Sequence, residues 1–255
     1  MRTLLVIGIG TGNPEHMTMQ AIGALNRADI VLVPRKGEEK AGLAKLRLEI
    51  CRRYLTNPDT RLVEFELPAR DNGAPYRKAV DDWHAAIADM YRALLEQRTN
   101  MEGKAAFLVW GDPSLYDSTL RILERLRDDL PGRIEVIPGI SSIQALAASH
   151  AIPLNEVAGT VHITTGRRLA EDGFPECAES VLVMLDGGLS FSGLEMDRFD
   201  IWWGAYLGSA DEIAISGRLA DVAAKISKIR AEARERHGWI MDTYLLRRRP
   251  GSLSS

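Results

Sequence analysis

Two cysteines in 255 residues, Cys51 and Cys177, stand far apart, and the histidines at 16, 84, 150, 162 and 237 form no pair at metal-ligand spacing. No disulfide framework, structural zinc site or dithiol redox centre is expected, no metal is called for, and lone thiols suit a reducing cytoplasm. No apolar run approaches the ~18 residues that a membrane span needs. The N-terminal run Leu4–Ile9 is cut by Gly8, Gly10 and Gly12 and lacks a small-residue cleavage site, so it reads as a buried strand and not a signal peptide. Neither charge sign dominates: 32 Lys and Arg face 35 Asp and Glu. Without a global positive field, nucleic acid and anionic membranes are not expected partners, and any anionic ligand must meet a local cluster.

What is present is a regular alternation of strand and helix. Leu4–Ile9, Ile30–Val33, Arg61–Leu67, Ala105–Trp110 and Ile134–Ile137 are short apolar runs ended by Gly, Pro, Asn or Asp. Between them, Thr18 caps a segment with Ile22, Leu25 and Ala28 on one face. Leu43, Leu46, Ile50 and Tyr54 form a second helical stripe, and Tyr76, Val80, Trp83, Ile87, Tyr91 and Leu94 a third, longer one. Leu120, Leu123 and Leu126 mark a fourth. This pattern predicts an α/β fold with a mostly parallel five-stranded sheet.

Past Pro138 a small-residue helix over 141–150 leads to strands near Val161–Thr165, Val181–Leu185, Ile201–Tyr206 and Glu212–Ser216, then a helix carrying Leu219, Val222, Ile226 and Ile229. Five strands already complete a small domain, so the division expected is 1–137 and 138–246, with a functional cleft between two domains. Arg247-Arg248-Arg249-Pro250 reads as a solvated tail.

Gly8-Ile9-Gly10-Thr11-Gly12 follows a buried strand and precedes a helix, which invites a nucleotide reading. A dinucleotide fingerprint places its third glycine at position 13, which is Asn, and needs a ribose-holding carboxylate where Val33-Pro34-Arg35 has none. No Gly-Lys-Ser/Thr occurs, which excludes a phosphate-cradling P-loop. On the loop alone, a tight turn with close backbone approach remains the plain alternative.

Four segments read together are more specific: Val6–Pro14 with Thr18, Trp110–Tyr116, Ile137–Ser142, and Ile163–Arg168. With the segment Ile213–Leu219, their order and separations resemble the tetrapyrrole methylase family over about residues 2–230. The resemblance implies two α/β domains holding S-adenosylmethionine, released as S-adenosylhomocysteine, in the cleft between them. Segments 36–40, 110–119, 162–169 and 203–208 are similar to family members that methylate C1 of precorrin-5 in cobalamin biosynthesis and release acetate to give precorrin-6A. Thr11 and Asn13 depart from the Pro and Asp usual in the family's first loop.

By this resemblance the cofactor contacts are Thr11, Trp110, Gly111, Asp112, Leu115, Ser141, Ser142, Leu185, Asp186, Tyr206, Leu207 and Gly208. Helix capping is the alternative for Asp112 and for Ser141-Ser142. A polycarboxylate substrate needs cations, for which Arg35, Lys36, Arg70, Arg167 and Arg168 are candidates. Methyl transfer asks mainly for alignment, but water attack on an acetyl carbonyl needs a base and oxyanion donors. Asp112 and Tyr116 are the candidate catalytic groups, with Asp117 and His16 as further possibilities. A homodimer is the family expectation, to which the apolar face of the 76–94 helix can contribute. The rival readings are a sister methylase acting at another ring carbon, an NADP-dependent reductase with Arg35 reading a 2′-phosphate, and a tetrapyrrole carrier without catalysis.

Overall fold

The apolar runs at the centre of the first half become strands because they are covered on both faces. A computed structural model describes residues 1–35, 41–69, 71, 73 and 75–250. Lys36 and Arg70, with the side chains of Leu43 and Tyr76, lie outside the described residues. Two compact units are present: Met1–Gly10 with Pro14–Ser141, and Thr11–Asn13 with the described residues from Ser142 onward.

The first unit is built on β1 (Arg2–Gly8), β2 (Ile30–Arg35), β3 (Arg61–Glu66), β4 (Lys104–Val109) and β5 (Gly132–Ile137), all parallel in the order β3-β2-β4-β1-β5. The three central strands are almost wholly buried, while the edges β3 and β5 carry the charged, half-exposed residues that keep other strands from adding there. Period-two alternation divides the core. Leu4 and Val6 pack with Phe107, Ile87, Tyr91 and Ile122 on one face, and Leu5 and Ile7 pack with Val31, Leu108, Leu25 and Ile50 on the other.

Helices α1 (Met19–Leu25) and α2 (Ala41–Tyr54) supply the second of these faces, and α3 (Tyr76–Arg98) and α4 (Thr119–Glu124) the first. As expected, Thr18 starts α1, its hydroxyl accepting the Ala21 N–H at 3.0 Å. The apolar stripe of α3 is spent on its own core: Ile87, Tyr91 and Leu95 are buried, with Trp83 and Leu94 packed against them.

The second unit holds β6 (Val161–Thr165), β7 (Ser180–Met184), β8 (Phe199–Ala205), β9 (Ile213–Arg218) and β10 (Asp242–Arg248), in the order β6-β7-β10-β8-β9. Only β6 and β7 run parallel; the remaining pairs are antiparallel. Helix α5 (Ser142–Ser149) lies against β8 and β10, and α6 (Gly166–Asp172) follows β6. Helix α7 (Leu219–His237) buries Leu219, Ile226 and Ala233 against Val183, Phe191, Trp203 and Tyr244.

Two expectations need correction here. The arginine run is not a solvated tail: Arg247 and Arg248 belong to β10, the middle strand of this sheet. Their charge is accommodated because long aliphatic stems cover aromatic faces while the guanidinium ends reach acceptors. Arg247 stands over the Trp202 ring at 5.0 Å and pairs with Glu156 at 2.7 Å, and Arg248 stands over Phe174 at 4.8 Å. Second, Arg167 and Arg168, which the chain's glycine at 166 suggests should follow a turn, lie instead in the first turn of α6, which Gly166 opens with Thr165 as its N-cap. Glycine is needed there because a Cβ would sit 2.3 Å from the Asp186 carboxyl carbon.

A buried polar network ties β10 into place. Arg230 of α7 pairs with Asp242 at 2.8 Å, and the Trp203 indole N–H donates to the same carboxylate at 3.0 Å. Arg230 also donates to the Asp186 carbonyl at 2.9 Å. Replacing Arg230 with Ala strands a buried carboxylate and is expected to cost about 3–5 kcal/mol, read as a lowered urea midpoint with an unchanged slope.

Candidate cofactor and substrate residues

In the first unit the candidate residues gather where β1, β4 and β5 end. Three glycines meet there backbone to backbone. A Cβ on Gly139 would lie 2.2 Å from the Gly111 carbonyl oxygen, and one on Gly8 would lie 2.6 Å from the Gly139 nitrogen. No larger residue permits this approach, which answers the plain reading of Gly8 with a concrete reason. Gly111 takes φ +68° and exchanges backbone hydrogen bonds with Gly10, at 2.8 Å and 3.4 Å. Gly10 is itself left-handed, and a Cβ on it would meet the His16 Cβ at 2.4 Å.

Asp112 clasps this assembly. One carboxylate oxygen accepts the Ser114 N–H at 2.8 Å and the Ser114 hydroxyl at 2.5 Å, and the other accepts the Gly139 N–H at 2.8 Å. Partial burial pushes its pKa up, but the hydrogen bonds from the Ser114 hydroxyl, the Gly139 N–H and the Ser114 N–H outweigh that, and the carboxyl stays below its ordinary range. An acceptor so occupied and so weakly basic is better suited to holding two turns together than to taking a proton from water.

Around it, Trp110, Leu115 and Ser142 are half-buried, Gly111 and Ser141 are buried, and Tyr116 is exposed on a left-handed backbone, φ +51°. Burial of part of its ring raises the Tyr116 phenol pKa, so at neutral pH it is a donor and not a base. Asp117 accepts the Thr119 N–H at 2.7 Å.

The second unit collects the remaining candidates at the ends of β7 and β8. Leu185 and Tyr206 both have positive φ, +52° and +50°. Tyr116, Leu185 and Tyr206 are thus three of the six left-handed non-glycine residues among the described residues, a conformation that costs about 1–3 kcal/mol each and persists where surroundings enforce it. The Leu185 side chain is 66% exposed, unusual for a leucine at the mouth of a buried strand.

Asp186 is buried and saturated: it accepts from the Gly188 and Ser190 amides, the Ser190 hydroxyl and, at 2.6 Å, the Tyr244 phenol. The Tyr206 hydroxyl donates to the Trp239 carbonyl at 2.6 Å, and Leu207 is buried. The side chains of Asp186 and Tyr206 are therefore occupied within the fold, and so are main-chain groups of both: the Asp186 carbonyl accepts from Arg230 and the Tyr206 N–H donates to the Met241 carbonyl at 2.9 Å. Gly208, φ +81°, gives its N–H to Glu212 at 2.6 Å. Thr11 is buried, and a Cβ on its neighbour Gly12 would lie 3.3 Å from Ser209, so the first loop packs beside the 206–209 turn.

The candidate cations among the described residues are exposed. Arg35, at the end of β2, pairs with Glu64 at 2.5 Å, and Arg167 and Arg168 lie within 3.5–3.9 Å of Glu171 and Asp172 on α6. Exposed pairs of this kind contribute little and exchange partners readily.

The first unit also has a cavity of about 140 Å³, and of its lining residues the sequence reading had singled out only Asp117 as a candidate catalytic group. Arg47, Tyr91, Ser118 and Thr119 line it beside the last residues of β4. No motif spacing links a helix arginine to a serine 71 positions later, so folding alone brings them together.

The family model for tetrapyrrole (corrin/porphyrin) methylases matches residues 3–223. The chain belongs to that family. This methylase is 56% identical over 97% of its length, and 96% of the other protein's, to a precorrin-6A synthase (deacetylating) from Sinorhizobium sp.. A precorrin-2 C(20)-methyltransferase from Sinorhizobium sp. is 29% identical over 66% of the chain and 69% of that protein. Among solved structures, a cobalamin synthesis-related protein (CobF) from Corynebacterium diphtheriae aligns with TM-score 0.83 and 40% identity, covering 97% of this chain and 98% of that one. The methylase family leaves no place for the NADP-dependent reductase reading.

Replacing Asp112 with Asn should destabilise the methylase by about 1–3 kcal/mol at pH 7, because the Ser114 and Gly139 donors lose a charged acceptor. A carboxylate whose folded pKa is depressed stabilises fully above its unfolded value, about 3.9, and loses that contribution as pH falls through the folded value. Urea titrations should show the gap between wild type and variant present at pH 7 and closing below about pH 4.

Proposed function

We propose that this methylase transfers the methyl group of S-adenosylmethionine to C1 of precorrin-5 and releases acetate hydrolytically, yielding precorrin-6A and S-adenosylhomocysteine. The observation that carries the reading is the 56% identity to a precorrin-6A synthase across 97% of the chain. The local structure is compatible with the donor. An exposed leucine on a strained strand end, at position 185, is suited to covering a flat apolar ring, and glycine-lined turns leave main-chain groups within reach of a polar tail.

Candidate contacts are Thr11, Trp110, Gly111, Leu115, Ser141, Ser142, Leu185, Asp186, Tyr206, Leu207 and Gly208, with Asp112 positioning the turns. When bound, the sulfonium supplies an activated methyl group. The protein's part is then to hold the ring carbon and the methyl in line and keep water out of that path. Arg35, Arg167 and Arg168 are the proposed partners of the ring's carboxylates, giving up weak surface pairs for charge-assisted bonds. Tyr116, as a phenol donor beside the Asp112 turn, is suited to steadying a developing oxyanion.

Among the described residues no helix is long and apolar enough to cross a membrane. A cytoplasmic location, a homodimer, and the absence of nucleic-acid or membrane partners complete the proposal. The apolar stripe of α3 packs into its own core and gives the dimer no support.

Two experiments test this reading. Incubation with precorrin-5 and methyl-labelled S-adenosylmethionine should give label transfer and acetate in equal amounts; label without acetate would favour the sister-methylase alternative. Replacing Arg167 and Arg168 with Ala should raise the KM for precorrin-5 about tenfold or more and leave that for S-adenosylmethionine nearly unchanged. An unaltered substrate KM would remove both arginines from the site.

A further inference from the structure

Ser118 occupies the N-cap position of α4, yet its hydroxyl makes no capping bond. It lies instead 2.9 Å from His84 Nε2. Serine at an N-cap ordinarily accepts from the first turn of its helix, so this hydroxyl has been turned away from its usual partner. His84, on α3, is 7% exposed and sits behind Ser118, which itself lines the 140 Å³ cavity.

The same cavity contains Arg47, the one cation among its described lining residues. The Nε of Arg47 donates to the Leu108 carbonyl at 2.9 Å, which holds the guanidinium at the end of β4. Asp117 stands on the opposite side of the charge balance, next to Ser118 in sequence and also in the wall. Apolar residues, including Leu32, Phe107 and Ile122, make up most of the rest. The space suits a small acyl group: apolar enough for a methyl, with a hydroxyl, a base behind it and a fixed positive charge.

Burial, with the nearby Arg125 and Arg121, lowers the His84 pKa against the pull of Asp81 and Asp117, so the ring is neutral near pH 7 and able to accept a proton. Burial likewise lowers that of Arg47, opposed by Tyr91 and Asp117. An arginine remains charged under any such shift.

The geometry points to Ser118 as an acyl-accepting nucleophile with His84 as its base, and to the cavity as the pocket that receives the acetyl group removed from the substrate. The assignment rests on the deacetylating reaction proposed above. In the first step the Ser118 hydroxyl oxygen bonds to the acetyl carbonyl carbon as its proton passes to His84 Nε2. Negative charge on the carbonyl oxygen is met by Arg47. The bond from the acetyl carbon to the macrocycle then breaks, and its electron pair stays with the conjugated ring, enriching the carbon that must accept a methyl group. In the second step water attacks the acetyl-serine. His84, having released its first proton to solvent, takes one from that water and returns it to Ser118 as acetic acid leaves, which gives up water's other proton to solvent to become acetate. Water is consumed and acetate formed, with no oxidant or reductant required.

The test uses the full chain with precorrin-5 and S-adenosylmethionine, with acetate, transferred label and protein adducts measured separately. Wild type quenched in its first turnover should carry one acetyl group on the peptide containing Ser118. Ser118→Ala should lose that adduct and release acetate roughly a hundredfold or more slowly, with unchanged affinity for S-adenosylhomocysteine by calorimetry. His84→Gln should slow acetate release similarly with Ser118 still present; the Ser118 variant keeps the test decisive if this second protein fails to fold. Acetate release from Ser118→Ala within a few-fold of wild type, or an acetyl group on another residue alone, overturns the proposal and leaves the reaction intact. Label transfer by wild type with no acetate at all overturns the reaction assignment and this inference with it.

Discussion

The first unit depends on how closely three strands can converge at their carboxyl ends. Gly8, Gly111 and Gly139 touch through main-chain atoms, with no room for a Cβ at either of the outer two. Such contact brings amides and carbonyls of separate turns together, and it needs something to hold the turns in register, because glycine contributes no side-chain packing of its own. The Asp112 carboxylate does this by accepting from its own turn and from Gly139 at once. A residue of the candidate site is thereby a structural clasp, and its depressed pKa follows from that work and not from preparation for proton transfer.

The second unit solves the corresponding problem with buried polar groups. Asp186 follows β7 and is held by four donors, one of them the Tyr244 phenol of β10, while Asp242 at the start of β10 meets Arg230 and Trp203. Burial and the facing Asp186 charge drive the Tyr244 pKa up, so the phenol remains a donor to that carboxylate near neutral pH. Strained residues at Leu185 and Tyr206 sit directly beside these anchored points. The strain is sustained because the neighbouring bonds leave the main chain no cheaper path.

Much of the framework was legible in advance. β1, β2 and β4 stood out because central parallel strands are apolar on both faces, and α3 because six apolar residues repeat along one stripe. The family motifs were likewise readable, since each is a turn whose Gly, Pro, Asp or Ser is dictated by local backbone geometry. Helix α6 was not: Arg167, Arg168, Glu171 and Asp172 leave it with little apolar signal, and its glycine start looks like a turn until the Asp186 carboxylate is seen beside it. β10 was missed: Tyr244-Leu245-Leu246 is too short an apolar run to announce a strand, and the arginines that follow read as solvated, because aromatic faces able to cover their stems come from Trp202 and Phe174, far away in the chain.

The amino-acid sequence by itself determined the strand and helix alternation, the turns, and the family to which they belong, because these follow from periodicity and from residues acting on their near neighbours. Only the tertiary structure decided which of those residues have spare chemistry. It committed Asp112, Asp186 and the Tyr206 side chain to holding the fold, drew the arginine run into a sheet, and set Ser118 against His84 beside Arg47. Hydrogen-bond saturation and burial are properties of three-dimensional neighbourhoods, and residues 34 or 71 positions apart carry no local mark of the neighbour that folding gives them.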